Sequence, residues 1–120
     1  MKTIIAGSRS ITDPQVIVEA IKASGFDITE VVCGGARGVD TLGREWAVED
    51  EGKIIPVKMF LAEWDVFGKS AGYRRNAEMA AYADALIAVW DGESKGTHHM
   101  INLALKAGLK VYIHKTGEVK

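Results

Sequence analysis

Five short apolar runs alternate along the chain with stretches whose apolar residues recur every three or four positions. The short runs end at glycine or at charged residues, which is typical of strands buried in a parallel sheet. The longer stretches have the spacing of helices with one apolar face. We therefore predict strands at 2–6, 30–33, 53–57, 84–90 and 109–113.

Four helices are expected between these strands. Asp13 is a suitable N-cap for the first, and Pro14 suits its first position, where the missing N–H costs nothing. Gly25 ends this helix in the manner of a C-terminal glycine. The other helices are predicted at 39–52, at 73–82 and at 97–107, with Gly52 closing the second and Thr97 capping the last.

This element order predicts a Rossmann-like fold. The order is βαβαβ, a long irregular stretch at 59–72, and then αβαβ. Right-handed crossovers favour a doubly wound sheet with helices on both faces, and we expect one α/β domain over residues 1–120 with strand order 3-2-1-4-5. Pro56 indicates a sheet edge or a strand end, because proline cannot donate to the ladder. Ligands of such folds bind beyond the carboxyl ends of the strands, near the switch point between strands 1 and 4.

Composition and net charge limit the classes of partner that we expect this chain to bind. With 120 residues, 48% hydrophobic and 26% charged, the chain suits one globular core. Its net charge of -1 attracts neither nucleic acid nor a membrane as a whole, so we expect neither partner. Cys33 is the single cysteine, which excludes an intrachain disulfide and a thiolate zinc site. The chain enters a strand directly after Met1 and holds no apolar run near ~20 residues, so we expect a cytoplasmic protein.

Three of the four strand-to-helix turns carry glycine, at 7–9, 34–38 and 92–97, and the fold would bring them to one sheet edge. Glycine allows backbone to approach a ligand, and helix N-termini favour phosphate. One such turn alone is most simply a tight turn, whereas three together favour binding. The 34–40 turn matches neither a Walker A loop nor the dinucleotide fingerprint. Its Asp40 would suit the helix dipole, accept from a ribose hydroxyl, or orient a neighbouring turn.

The densest basic cluster lies at 69–76, at the start of the third helix. Arg74 and Arg75 are unfavourable beside the positive end of a helix, and residues that break a local rule are candidates for function. Arg75 would bind a phosphate through its planar fork. The alternative is a solvated basic patch, or pairing with Asp65 or Glu78.

The remaining polar and aromatic candidates carry less weight. His98 and His99 are adjacent on a helix, so they point different ways and lack the spacing of a metal pair. We expect no metal. Trp90, just before a turn, is a better candidate than Trp64 to stack on a base, although aromatic residues near strand ends are commonly core. Cys33 is interpreted as a small buried hydrophobe.

Four motifs in order give the chain its family resemblance. They are Ile4-Ile5-Ala6-Gly7-Ser8-Arg9, Gly34-Gly35-Ala36-Arg37-Gly38-Val39-Asp40, Gly68-Lys69-Ser70-Ala71-Gly72 with Arg75-Asn76, and Gly96-Thr97. Over residues 2–114 the chain resembles the YspA-like, circularly permuted YpsA-related branch of the SLOG superfamily. That superfamily unites the DNA-processing Smf/DprA proteins with the LOG nucleotide hydrolases, and such domains are encoded by bacteria and phages.

The resemblance implies a nucleotide or nucleotide derivative as ligand. It places residues 34–40 on one side of the pocket and 7–9 on its floor, and completes it with 75–76 and 96–97. The LOG hydrolases carry an acid in a Gly-Gly-x-Gly-Thr-x-x-Glu motif, and Met100 stands at that position here. The resemblance therefore extends to phosphate binding and stops short of LOG-type hydrolysis. The predicted ligand-binding residues are Gly7, Ser8, Arg9, Gly34, Gly35, Ala36, Arg37, Gly38, Asp40, Lys69, Ser70, Arg75, Asn76, Trp90, Gly92, Ser94, Gly96 and Thr97.

Three functions and one assembly follow from these observations. The preferred function is a sensor or ligand-binding domain for a nucleotide derivative. The alternative is a hydrolase of an N-glycosidic or phosphate bond, and single-stranded DNA binding ranks third because net charge is near zero. An apolar segment at 59–68 would also suit a homodimer. The acid–base groups open to a hydrolase are Asp40, Glu78, Asp91, Glu93 and His98.

Overall fold

The sheet has five parallel strands in the predicted order. The computed structural model describes residues 1–35, 38–49 and 55–116, and for 48 and 49 the backbone alone. Pairing runs β3-β2-β1-β4-β5, with every pair parallel. The α/β doubly wound prediction is therefore confirmed. The strands are β1 (Lys2–Gly7), β2 (Glu30–Cys33), β3 (Val57–Met59), β4 (Ala85–Trp90) and β5 (Lys110–Lys115).

Helices connect these strands and cover both faces of the sheet. Among the described residues they are α1 (Pro14–Ser24), α2 (Val39–Glu49), α3 (Trp64–Phe67), α4 (Ala71–Tyr82) and α5 (Lys95–Lys106), with a short 3-10 helix at Gly68–Ser70. The first helix begins and ends as predicted. Asp13 Oδ1 accepts the N–H of Gln15 at 3.0 Å, and Gly25 closes the helix with a left-handed φ of 69°.

The predicted third strand at 53–57 is wrong in its bounds. The strand begins at Val57, opposite Val31, and ends at Met59, opposite Cys33. Pro56 lies just before it and accepts the N–H of Val31 through its carbonyl oxygen at 2.9 Å. The prediction that Pro56 marks a sheet edge or strand end is confirmed, since β3 is an edge strand. Residues 50–54, including the predicted closing Gly52, lie outside the described part of the chain.

Two further predictions are corrected around the helices. The stretch 59–72, predicted as irregular, contains α3 and the 3-10 helix, and α4 begins at Ala71 rather than at Tyr73. The predicted N-cap Thr97 is also wrong. Ser94 is the N-cap, because its Oγ accepts the N–H of Thr97 at 3.4 Å, and α5 accordingly begins at Lys95.

The core lies on both faces of β1 and β4, which are buried throughout their central residues. Successive strand residues point to opposite faces, so Ile4 and Leu86 pack under α4 and α5, whereas Ile5 and Ile87 pack under α1 and α2. The edge strand β5 is instead half-exposed. Within the described residues, no helix is both long and apolar enough to cross a membrane.

Candidate functional site

A cavity of about 470 Å³ opens beyond the carboxyl ends of β1 and β4. This is the predicted switch point, because the chain leaves β1 toward one face of the sheet and β4 toward the other. Its volume lies within the ~300–1,000 Å³ of small-molecule sites. We call it the inner cavity, and it is lined by Ala6, Gly7, Ser8, Arg9, Ser10, Asp40, Arg75, Asn76, Met79, Asp91, Ser94, Gly96, Thr97 and Met100.

Two smaller cavities adjoin the inner one. The Leu61 cavity, of about 250 Å³, is lined by Arg9, Gly34, Gly35, Leu61, Ala62, Trp64 and Arg75. The Trp64 cavity, of about 200 Å³, is lined by Arg9, Trp64, Lys69, Gly72, Tyr73, Arg75, Asn76 and Gly96. Arg9 and Arg75 line all three, so two guanidinium groups stand where the cavities meet.

The turn after β1 forms the floor of the inner cavity and is fixed to β4. Ser8 is 1% exposed, its N–H donates to Val89 at 3.1 Å, and its hydroxyl accepts the N–H of Asp91 at 3.1 Å. A Cβ at Gly7 would overlap the carbonyl oxygen of Val89 and lie 2.8 Å from Val39 Cγ2. Glycine is therefore required here by close approach of the neighbouring strand and helix.

Asp40 holds the turn after β2. Its Oδ2 accepts the N–H of Gly34 at 2.9 Å, and the residue is 6% exposed. Of the three roles predicted for Asp40, orienting a neighbouring turn is the one this contact performs. The carboxylate also lines the inner cavity, and a carboxylate offers roughly four acceptor positions.

Gly38 joins the turns after β1 and β2. Its φ is 72°, and a Cβ there would lie 2.5 Å from the carbonyl oxygen of Ser8. That oxygen also accepts the N–H of Val39 at 3.4 Å. The start of α2 therefore rests directly on the 7–9 turn, which brings two of the predicted glycine turns into contact.

Arg75 binds across from α4 to the turn after β2. Its Nη1 donates to the carbonyl oxygen of Gly34 at 2.6 Å, and its Nε donates to Asn76 Oδ1 at 3.0 Å. Arg74 points elsewhere, with Nε donating to Ser70 Oγ at 3.2 Å and its guanidinium 4.2 Å from the Phe67 ring centroid. Arg75 is thus a half-buried member of the site rather than part of a solvated patch.

Asn76 continues this network to α5. It is 7% exposed, and its Nδ2 lies 3.3 Å from His99 Nδ1 and 3.4 Å from the carbonyl oxygen of Gly96. Burial lowers the pKa of His99, and Lys106 lowers it further. A neutral imidazole accepts from the amide, and the Tyr73 ring packs edge-on against it at 4.5 Å.

The turn after β4 presents a carboxylate to the inner cavity. Asp91 Oδ1 accepts the N–H groups of Glu93 and Ser94 at 2.8 and 2.9 Å. These backbone hydrogen bonds lower the pKa of Asp91, and the Ser8 side chain lowers it further. Asp91 is therefore ionised at neutral pH.

The hydrolytic acid–base candidates divide into two groups. Asp40 and Asp91 line the inner cavity, and both hold backbone N–H groups. Glu78, Glu93 and His98 are exposed and line none of the three cavities. No group of three or more His, Cys, Asp or Glu side chains among the described residues is arranged to hold a metal ion.

Twelve of the predicted ligand-binding residues line the three cavities, namely Gly7, Ser8, Arg9, Gly34, Gly35, Asp40, Lys69, Arg75, Asn76, Ser94, Gly96 and Thr97. Four line none of them. Gly38 contacts the Ser8 turn, Ser70 donates to Phe67 at 3.0 Å, and Gly92 faces Lys115. Trp90 stacks on His98 at 5.7 Å and donates from its indole to the carbonyl oxygen of Ser94 at 3.1 Å. Ala36 and Arg37 lie outside the described residues.

The predicted ligand-binding residues leave out the apolar wall of the inner cavity, formed by Met79 and Met100. Met79 lies four residues after Arg75, and Met100 three after Thr97. Both therefore share a helix face with a predicted site residue. The spacing of three and four residues is the sequence signal that places both methionines beside the site.

Cys33 is 1% exposed at the end of β2. Burial raises the pKa of its thiol, and the neighbouring Asp40 charge raises it further. Because the thiolate is the nucleophilic form, Cys33 is a structural residue.

The family of this chain follows from its similarity to a known phage protein. The Gene 61 protein of Mycobacterium phage D29 is 37% identical over 117 residues, covering 92% of this chain and 93% of that protein. The chain belongs to the Gene 61 protein family. No family model matches the chain, and no solved structure matches it. The family name specifies a phage gene rather than a ligand or reaction.

Proposed function

We propose that this Gene 61 family member binds a nucleotide or nucleotide derivative in the inner cavity, as a sensor or ligand-binding domain. The observation that carries the proposal is the convergence of three glycine-bearing turns with Arg9 and Arg75 at the sheet switch point. The four motifs that resemble the YspA-like branch of the SLOG superfamily support the same ligand class. We propose that relationship as well.

The phosphate of the ligand would lie between Arg9, Arg75 and Gly96. Two guanidinium groups border that part of the cavity, and arginine binds phosphate through parallel N–H donors. Gly96 is in the first turn of α5, whose amide groups and dipole favour an anion. The two arginines and the N-terminus of α5 would therefore attract the same anion.

The ribose would face the carboxylates of Asp40 and Asp91. Both line the inner cavity, and ionised carboxylates accept hydrogen bonds from hydroxyl groups. The base would then lie against Met79 and Met100, since thioether side chains adapt to an aromatic ring. Cations and carboxylates line the same cavity, and Asp40 and Arg75 meet at Gly34, so the cavity would offer donors to the phosphate and acceptors to the ribose.

Binding without cleavage is favoured over hydrolysis by the state of the two cavity carboxylates. A general acid needs a raised pKa, and the pKa of Asp91 is lowered. Asp40 is engaged in holding the Gly34 turn. Chromatography of nucleotides incubated with the protein tests this comparison, and a released base or phosphate that depends on Asp91 would favour the hydrolase instead.

Isothermal titration with AMP, ADP, ADP-ribose and NAD tests the proposal itself. We expect saturable binding of at least one of these ligands and a loss of that binding in Arg75→Gln. Arg74→Gln is the matched control, because Arg74 is the adjacent arginine and lines none of the three cavities. No binding by any ligand at millimolar concentration would overturn the proposal.

A further inference from the structure

The Trp64 cavity is a continuation of the inner cavity. Four residues line both of them, namely Arg9, Arg75, Asn76 and Gly96. Three of these four, Arg9, Arg75 and Gly96, border the proposed phosphate position. A ligand held there has apolar space on both sides, toward Met79 and Met100 on one and toward Trp64 on the other.

Charge is distributed unevenly over the two spaces. The inner cavity includes Asp40 and Asp91, whereas the lining of the Trp64 cavity contains Arg9, Lys69 and Arg75 and no carboxylate. Arg9 and Arg75 belong to the shared wall and Lys69 lies on the Trp64 side, and these three cations exceed what a single terminal phosphate needs. They suit an anionic linker that continues from one cavity into the other.

Trp64 provides a flat apolar surface at the far end of this path. It lies on α3 and is 52% exposed, which is unusual for so large an aromatic side chain. A Cβ at Gly72 would lie 3.3 Å from Trp64 Cη2 and 3.9 Å from Arg75 Nη2. The indole and the guanidinium therefore flank the same glycine, with the aromatic surface next to the cation.

Tyr73 forms a second aromatic wall of the Trp64 cavity. Its ring is held edge-on against His99 at 4.5 Å, yet the residue remains 51% exposed. Two exposed rings beside three cations are the combination that stacks a base and holds its phosphate.

We propose that the ligand is a dinucleotide, that is, two nucleosides joined through a bridging pyrophosphate, and that its second base stacks on Trp64. This rests on the proposed function, because the first nucleotide occupies the inner cavity. The bridging group lies at Arg9 and Arg75, and Lys69 neutralises its outer phosphate.

Titration with a matched pair of ligands tests the second base alone. ADP-ribose and diadenosine pyrophosphate share the first nucleotide, the pyrophosphate and the second ribose, and differ by the second adenine. We expect the wild-type protein to bind diadenosine pyrophosphate at least about tenfold more tightly, a difference of about 1.4 kcal/mol. Trp64→Ala should remove this difference and leave the affinity for ADP-ribose unchanged, and Trp64→Phe should keep part of it.

Val66→Ala is the control substitution. Val66 is 68% exposed on the same short helix and lines none of the three cavities, so both affinities should stay at the wild-type values. Equal affinities for the two ligands, or an equal loss of both in Trp64→Ala, would overturn the dinucleotide inference and leave the proposed function standing. Failure of both ligands to bind would overturn the dinucleotide inference, and the proposed function would fall with it only if AMP, ADP and NAD also failed to bind.

Light scattering on the same proteins distinguishes base stacking by Trp64 from a role of Trp64 in a subunit interface. Phe60 packs against Tyr82 with ring centroids 5.4 Å apart, so Trp64 and Phe67 are the exposed aromatic residues of the predicted homodimer segment. We expect Trp64→Ala to leave the molar mass unchanged. A change from dimer to monomer would assign Trp64 to a subunit interface and overturn its role in stacking.

Discussion

Arg75 Nη1 lies 2.6 Å from the carbonyl oxygen of Gly34, 41 residues earlier in the chain. The contact ties α4 to the turn after β2. The same turn is held from the other side by Asp40, through the N–H of Gly34. One peptide segment is thus fixed by a cation at its carbonyl and an anion at its amide, and both charged groups also line the inner cavity.

Two substitutions of Arg75 distinguish the hydrogen bonds that it makes within the fold from the positive charge that it would offer to a ligand. Arg75→Ala should lower the free energy of unfolding by about 1–3 kcal/mol, since two hydrogen bonds of a half-buried guanidinium are lost. Arg75→Lys keeps the charge without the planar fork, so it should recover part of the nucleotide affinity and little of the stability. Urea denaturation and calorimetric titration measure the two effects. Equal affinities in the lysine and alanine variants would show that charge at this position is irrelevant.

Asp40 should contribute to stability even in the absence of ligand. Asp40→Ala leaves the buried N–H of Gly34 without its carboxylate, at an expected cost of about 1–3 kcal/mol. Asp40→Asn retains an acceptor oxygen and should cost less. Denaturation midpoints of the two variants in ligand-free buffer check this order, and a neutral effect of Asp40→Ala would contradict the role assigned to the Asp40–Gly34 contact.

Two glycines of the cavity should respond oppositely to alanine. A Cβ at Gly7 would overlap Val89, so Gly7→Ala should destabilise the fold by at least about 1–3 kcal/mol. A Cβ at Gly96 has no described atom within 4 Å, and replacing a helical glycine by alanine gains roughly 0.5–1 kcal/mol. Gly96→Ala should therefore be at least as stable as the wild type while binding nucleotide more weakly, because its methyl group occupies the phosphate position. Unchanged nucleotide affinity in a stable Gly96→Ala protein would show that the phosphate does not lie at Gly96.

Acidification should destabilise the protein through His99. Because the pKa of His99 is lowered in the folded state, the unfolded chain takes up this proton first as pH falls below roughly 6.5. The contribution of neutral His99 to the free energy of unfolding is therefore fully present above that pH, and it is lost as pH falls through the folded-state pKa of His99. We expect His99→Gln to show a smaller loss of unfolding free energy between pH 7 and pH 5 than the wild type. An NMR titration of the His99 ring protons checks the direction, and a pKa above the ordinary value would contradict it.

The strand order could be predicted from the sequence because each buried strand is marked by apolar residues and a following turn. Rossmann topology then leaves few ways to connect them. The third strand was misplaced because residues 53–57 are apolar as well, whereas its position is set by pairing of Val57 with Val31 across the sheet. Pairing partners are non-local and leave no periodic signal.

The site could be predicted where it depends on local chemistry. The glycine turns are recognisable by their position between a strand and a helix N-terminus, and Arg75 because a cation at the positive end of a helix breaks a local rule. The aromatic partner could not be found in this way. Trp90 follows a buried strand, but its indole turns to His98 and Ser94, while Trp64 reaches the cavities through a helix that forms within the stretch 59–72. Which tryptophan lines the cavities depends on the helix formed within that stretch.

Amide chemical shifts during nucleotide titration test the central claim most directly, because they report both binding and its location. A ¹⁵N-labelled protein titrated with ADP-ribose should show saturable shifts at Gly7, Gly34 and Gly96, which line the cavities. Gly25 and Gly108 follow α1 and α5 at the opposite edge of the sheet, and their amides should stay unchanged. No saturable shift with ADP-ribose, AMP, ADP or NAD, or shifts confined to residues outside the three cavities, would contradict nucleotide binding at this edge.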